Sequence, residues 1–298
     1  MSPNNQHFVP RGYLSAWACG SGVEPKWVWR FDRVLGRVDL KSPRKILREA
    51  HIYTVRKPDG TDDFRFERFF QEREDAFYSV RTKLISLQAL THEEWVDLLA
   101  FTAAARIRTQ MNRNRHRQHW GNAIELGEKM VQSLSKMTPE ARTDIAKMQS
   151  PSTGKGVTLE QARRLRDEPI QSTLLLGMKQ LIERFDHMQA AVLFAAGSTR
   201  FITSDNPCVF YDPYARPFPP FRAIPDFRSA TFELTMPLTP TACLRLGPDA
   251  EGFIELMDDD VAAINNRTAG AASRYMVSSN ADGFPEYLGP ADWTLGVD

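Results

Sequence analysis

The apolar residues of this chain change their period twice, and that change constrains the fold more than any single motif. In the first sixty residues they recur every second position. Trp27, Trp29 and Phe31 recur at every second residue, Leu35-Gly36 follows, and Arg37-Val-Asp-Leu40 is a second short run, which is the pattern of a β-hairpin. His51-Ile-Tyr-Thr-Val55 reads as a further strand, closed by Pro58-Asp-Gly60. From about Asp63 the spacing becomes helical, with Phe66, Phe69, Phe70, Phe77 and Val80 set among charges. Thr91-His-Glu-Glu94 is a capping-box pattern, in which the threonine oxygen accepts from an early amide and the glutamate reaches back. The stretch that follows, Trp95 to Ile107, is apolar on nearly every side and predicts the central helix of the fold. Thr138-Pro-Glu140 and Thr158-Leu-Glu-Gln161 predict two more helix starts, with a loop at Ser150–Gly156 between them.

Past residue 188 the period returns to two. Gln189–Phe194, Arg200–Thr203 and Cys208–Tyr211 are short apolar runs. Phe232, Leu234, Met236 and Leu238 alternate with polar residues, and Ala242–Leu246 alternates likewise beyond Thr239-Pro240. A helix from about Asp258 leads to the apolar strand Tyr275–Val277. The expected fold is one α+β domain over residues 1–298, β-rich in 1–60, helical in 61–188 with four or five helices, and β-rich with one helix in 189–298. Its C-terminal antiparallel strands are expected to share a sheet with the N-terminal ones.

Charge and cysteines narrow the function. Among 298 residues, 38 lysines and arginines face 37 acids, so no protein-wide positive field exists and any basic site is local. Three cysteines, far apart in sequence, supply neither a disulfide framework nor a four-cysteine zinc site, which suits a reducing cytoplasm. The N-terminus lacks the order of a secretory signal, and no apolar run approaches the roughly 18 residues of a membrane span, so no membrane partner is expected. Walker, dinucleotide-binding, zinc-protease and nucleophile-elbow motifs are missing.

Three segments concentrate chemistry. In Gln6-His-Phe-Val-Pro-Arg-Gly-Tyr13, His7 suits a general base or metal ligand and Arg11 an anion clamp; both equally suit the tethering of a terminal strand. In Ile202-Thr-Ser-Asp-Asn-Pro207, Asp205 at a strand end could bind a metal or orient His7, or it and Asn206 could close a turn before proline. The run Arg106–His119 carries five arginines, two histidines and no acid. Read as one helix, it would align Arg108, Arg115 and His119 for phosphates, or simply match the helix dipole.

Within that run, Arg113-Asn-Arg-His-Arg-Gln-His119 resembles the signature of the HEPN ribonucleases, all-helical proteins in which arginine and histidine cut RNA without metal. The resemblance implies that Arg113 stabilises phosphate charge and His119 moves a proton, and it suggests a bacterial defence or toxin system. A wider resemblance covers almost the whole chain. His7-Phe-Val-Pro-Arg-Gly-Tyr-Leu14, Trp27-Val-Trp with Asp32, Tyr53, Arg106 and Arg108, Thr203-Ser-Asp-Asn-Pro207, Pro237-Leu-Thr-Pro240 and Asn265-Asn266 resemble a largely bacterial family catalogued as Domain of Unknown Function 4238. That resemblance brings no settled reaction, but it implies that His7, Arg11, Asp205, Asn206 and Asn265 converge in one cleft. The resulting expectation is a phosphate-directed hydrolase, a nuclease on RNA or DNA, with His7 and Asp205 catalytic and Arg11, Arg106 and Arg108 as phosphate anchors. A divalent metal such as magnesium or manganese would suit the first pair. The alternative is a noncatalytic nucleic-acid or small-ligand binding protein.

Overall fold

A computed structural model describes residues 5–19, 26–57, 59–148, 156–215 and 229–281. The chain starts with strand β1 (Asn5–His7), which turns through Pro10 into the single helical turn α1 (Arg11–Leu14) and a 3-10 turn, Ser15–Trp17. The expected hairpin follows as β2 (Val28–Asp32) and β3 (Arg37–Lys41), with Gly36 supplying the left-handed φ of +60° that the turn needs. β4 (Arg48–Ala50) pairs antiparallel with β1, placing His7 opposite Arg48. The strand expected at His51–Val55 does not form. His51 takes a positive φ, and Ile52 and Tyr53 turn inward to become buried, so only the two-residue ladder β5 (Val55–Arg56) and β6 (Asp62–Asp63) remains.

Among the described residues six helices occupy the middle of the chain, where four or five were expected: α2 (Arg65–Ile85), α3 (His92–Ile107), α4 (Gln110–Ser135), α5 (Pro139–Met148), α6 (Leu159–Asp167) and α7 (Pro169–Asp186). The additional breaks have local causes. Thr109 accepts the amide of Asn112 and opens α4 as a new helix, so the run Arg106–His119 is not continuous. Pro169 has no amide hydrogen to continue α6, and it starts α7 instead. Both predicted capping boxes are present, at Thr91/Glu94 and Thr158/Gln161. α3 is buried along most of its length, with the ring of Phe101 stacked on Phe77 of α2 at a centroid distance of 3.6 Å. The loop expected at Ser150–Gly156 lies, except for Gly156, outside the described residues.

The C-terminal section contributes β7 (Gln189–Ala195), β8 (Thr203–Ser204), β9 (Val209–Tyr211), β10 (Glu233–Thr239), β11 (Ala242–Gly247), β12 (Gly252–Leu256), α8 (Asp258–Ala271) and β13 (Tyr275–Ser278). A five-stranded sheet runs in the order β12-β7-β11-β10-β9. It is mixed rather than wholly antiparallel, because β12 lies parallel to β7. A four-stranded sheet, β3-β2-β13-β8, joins the two ends of the chain as expected, with β13 inserted between β2 and β8. One apolar core runs from Phe8 through α2, α3 and α7 to β10, β11 and Val277. Among the described residues no helix is long and apolar enough to cross a membrane.

The N-terminal segment is pinned to this core by two polar contacts. The hydroxyl of buried Tyr13 donates to the carbonyl of Pro237 at 2.6 Å and lies 2.9 Å from the hydroxyl of Thr203, which is left as the donor of that pair. The indole N–H of Trp17, wholly buried, donates to the carbonyl of Phe201 at 2.8 Å. Each aromatic ring contributes about 3 kcal/mol of apolar burial. Tyr13→Phe keeps the ring and leaves a buried carbonyl without its donor, so a loss of about 1–3 kcal/mol in urea unfolding is expected.

Candidate active site

Pinned in this way, the N-terminal segment forms one wall of a cleft whose other wall is α2. Residues 67, 71, 74, 78 and 81 lie at helical spacings of three and four, so Glu67, Gln71, Glu74, Tyr78 and Arg81 form one polar stripe, beside the apolar stripe of Phe70, Phe77 and Val80. The cleft has two connected parts. A cavity of about 280 Å³ holds His7, Arg108 and the carboxylates of Glu67, Glu74 and Asp75. A larger one, of about 620 Å³, is lined by Arg11, Lys26, Arg44 and Arg81 and, among the described residues, by no acid. Arg11, Gly12 and Tyr78 line both. Gly12 is required there, because a methyl group on its Cα would collide with the hydroxyl and ring of Tyr78.

His7 is held from three sides. Gln6, buried beside it, donates to Thr54 and Glu67 and accepts the Tyr53 amide at 2.7 Å, which fixes the end of β1. The Tyr53 hydroxyl donates to the His7 carbonyl at 3.1 Å. The ring Nε2 lies 3.2 Å from the Pro43 carbonyl, which can only accept, so Nε2 carries the proton and Nδ1 keeps its lone pair. Burial pulls the imidazole pKa down to about 4; the Pro43 contact opposes this, and the charges of Arg48, Arg108 and Arg11 add to it. His7 is therefore neutral at pH 7.

Arg108 lies beneath the smaller cavity, only 1% exposed, with Nη1 2.7 Å from Glu74 and its guanidinium over the Phe70 ring. Its Nε and Nη2 have no partner. Arg81 lies over the rings of Phe77 and Tyr78, with Nη1 out of solvent and also unpartnered. Burial raises the pKa of Tyr78, so its phenol stays a hydrogen-bond donor at neutral pH.

The other expected site residues are elsewhere. Asp205 is buried and accepts three backbone amides, from Ser273 at 2.8 Å, Arg274 at 2.7 Å and Tyr275 at 3.0 Å. Its oxygens are committed to holding the turn into β13, so they neither orient His7 nor line the cleft. Asn265 accepts from Ile202 N and donates to the Arg200 carbonyl, and Asn206 donates to the Ala271 carbonyl and accepts from Arg106, so both asparagines serve the same buried joint. Arg106 and Arg108, two residues apart, point to opposite sides of the α3 end, and only Arg108 reaches the cleft. Arg113, itself buried, forms an ion pair with half-buried Glu49 at 2.6 Å, while His119 is exposed against Trp120; the pair implied by the HEPN likeness does not share a site. Among the described residues no group of three or more His, Cys, Asp or Glu side chains is placed to hold a metal ion.

The sequence reading did not single out Glu74, Tyr78, Arg81 or Arg44. The signal available for the first three was the polar stripe of α2, visible only as charge on an amphipathic helix until the wall facing it is known.

Two outcomes test these roles. Asp205→Ala strips three buried amides of their acceptor, and a loss of about 3 kcal/mol or more in urea unfolding is expected. For His7, the folded pKa of about 4 lies below the ordinary 6.5, so the unfolded chain takes up the proton first. Stability therefore falls as pH drops from 6.5 to about 4, by roughly 3 kcal/mol, and flattens below. His7→Gln removes that component, so its unfolding free energy should vary less over the same interval.

The family model described as Protein of unknown function (DUF4238) matches residues 5–282, nearly the whole chain. Comparison with curated proteins and with solved structures gave no match. The match takes in the wall that carries His7 and Arg11, the α2 stripe and the Asp205 joint alike, and on this coverage the chain belongs to the DUF4238 family.

Proposed function

We propose that the cleft binds a phosphate ester and that the protein is a phosphate-directed hydrolase acting on RNA or DNA. One observation carries this reading: a neutral histidine of fixed tautomer lines a cavity that shares Arg11, Gly12 and Tyr78 with a neighbouring one lined, among the described residues, by four cations and no carboxylate. The phosphate charge would lie against Arg11 and the basic cavity, and His7 Nδ1 would take the proton of the attacking oxygen, either a water or a ribose 2′-hydroxyl. As that oxygen bonds to phosphorus, the ester P–O bond breaks and the leaving oxygen is protonated from water or from His7. Arg11 and the Tyr78 hydroxyl would oppose the charge that develops on the phosphoryl oxygens.

A free-enzyme pKa near 4 makes His7 a weak base, and the positive charges of Arg11 and Arg108 contribute to that weakness. A bound phosphate cancels part of this field and raises the basicity of His7 in the complex. The acid limb of kcat should therefore lie at higher pH than that of kcat/KM. The same weak basicity favours a second reading, a binding protein that grips phosphate without chemistry.

The test is incubation of the protein with a mixed pool of RNA and single- and double-stranded DNA, with magnesium, manganese or chelator, resolved on a gel. Cleavage that His7→Ala lowers by about 10²–10⁴-fold supports the hydrolase. Binding that persists in His7→Ala, weakens with salt and in Arg11→Ala, and yields no product supports the second reading.

A further inference from the structure

A second concavity, with no lining residue in common with the cleft, lies between the end of α3, the first turns of α4 and the exposed side of α7. Its volume of about 580 Å³ falls within the usual range for a small-molecule site. Ile107, Leu176 and Leu181 make its apolar walls, and Leu176 is 64% exposed. Gly177 keeps the floor open: a methyl group on its Cα would stand 3.2 Å from the Ile107 side chain.

The polar lining of this groove comes from Asn112, His116, Thr173, Gln180 and the cationic Arg184, and among the described residues no acid lines it. The Arg184 guanidinium lies over the Phe232 ring, with Nε out of solvent and without a hydrogen-bond partner. Beside it, Arg106 lies over Phe210, whose ring adjoins that of Phe232 at 5.3 Å, and its hydrogen-bond partner is the neutral amide of Asn206. Two guanidinium groups thus rest on one aromatic floor with no carboxylate paired to either. Arg184 is partly buried with no carboxylate beside it, and an anion that arrives with its own apolar body would supply that counter-charge while covering the exposed leucine.

We propose that this groove is a binding site for an amphipathic organic acid, with its apolar tail along Ile107, Leu176 and Leu181 and its carboxylate at Arg184. A nucleic acid is a poor fit for it, because Ile107, Leu176 and Leu181 give it apolar walls and, among the described residues, Arg184 alone offers an arginine or lysine charge.

The experiment is isothermal titration of the full-length protein with decanoate, alongside decanol and acetate. Decanoate is expected to bind, with the neutral alcohol and the short acid each at least tenfold weaker. Arg184→Met should weaken decanoate at least fivefold while leaving decanol unchanged. Leu176→Asp, at a position exposed enough not to disturb folding, should weaken it at least tenfold. Absence of decanoate binding, equal binding of decanol, or binding indifferent to both substitutions would overturn the assignment.

Discussion

The cleft depends on how residues 5–17 are anchored. Tyr13 and Trp17 insert between α2, α3 and the C-terminal strands, and their two polar atoms find partners more than 180 residues away in sequence. A terminal segment this short has no core of its own and would fray if left on the surface. Two buried aromatic rings hold it through area, and the hydroxyl and indole N–H hold it in one orientation, because a buried donor accepts few alternative placements. His7 and Arg11 lie within six residues of Tyr13, so their position against α2 follows from that anchor.

The same architecture explains the concentration of positive charge inside the protein. Arg81, Arg106 and Arg108 all lie against aromatic rings, and only Arg108 is paired with a carboxylate. Ring faces relieve part of the cost of burial, yet the remaining unpartnered N–H groups leave a field that an anion would satisfy. Burial lowers the pKa of His7, and the charges of Arg48, Arg108 and Arg11 add to that, so the anion and the base are coupled: whatever neutralises these arginines makes the histidine more basic.

Most of the element order was legible in the sequence because it rests on local rules. The β2/β3 hairpin, the capping boxes at Thr91 and Thr158, the buried character of α3 and the alternation in β10 and β11 are all set by residues within one turn or one strand of each other. The departures arose where a single polar residue or a long-range contact outweighed the pattern. Thr109 capped a new helix inside an arginine-rich run, and Tyr53 left its strand to fill the core and hold Gln6. β12 found a parallel partner in β7, a pairing that alternation alone does not specify. At the site, His7, Arg11 and Arg108 could be named from their neighbours in sequence. Asp205 could also be named, but its role could not, since the three amides it accepts belong to residues 273–275.

The sequence by itself determined the α+β class, the junction of the two chain ends in one sheet, the family and the chemistry available near the N-terminus. It could do so because period, capping and turn formation are short-range. The tertiary structure alone decided which polar groups meet: that Arg106 and Arg108 part to opposite sides of α3, that Asp205 holds a joint, and that Glu74 and Tyr78 line one cavity with His7. A polar stripe on a helix has no meaning until another surface is packed against it, and that packing is fixed by a tyrosine and a tryptophan whose partners lie at the far end of the chain.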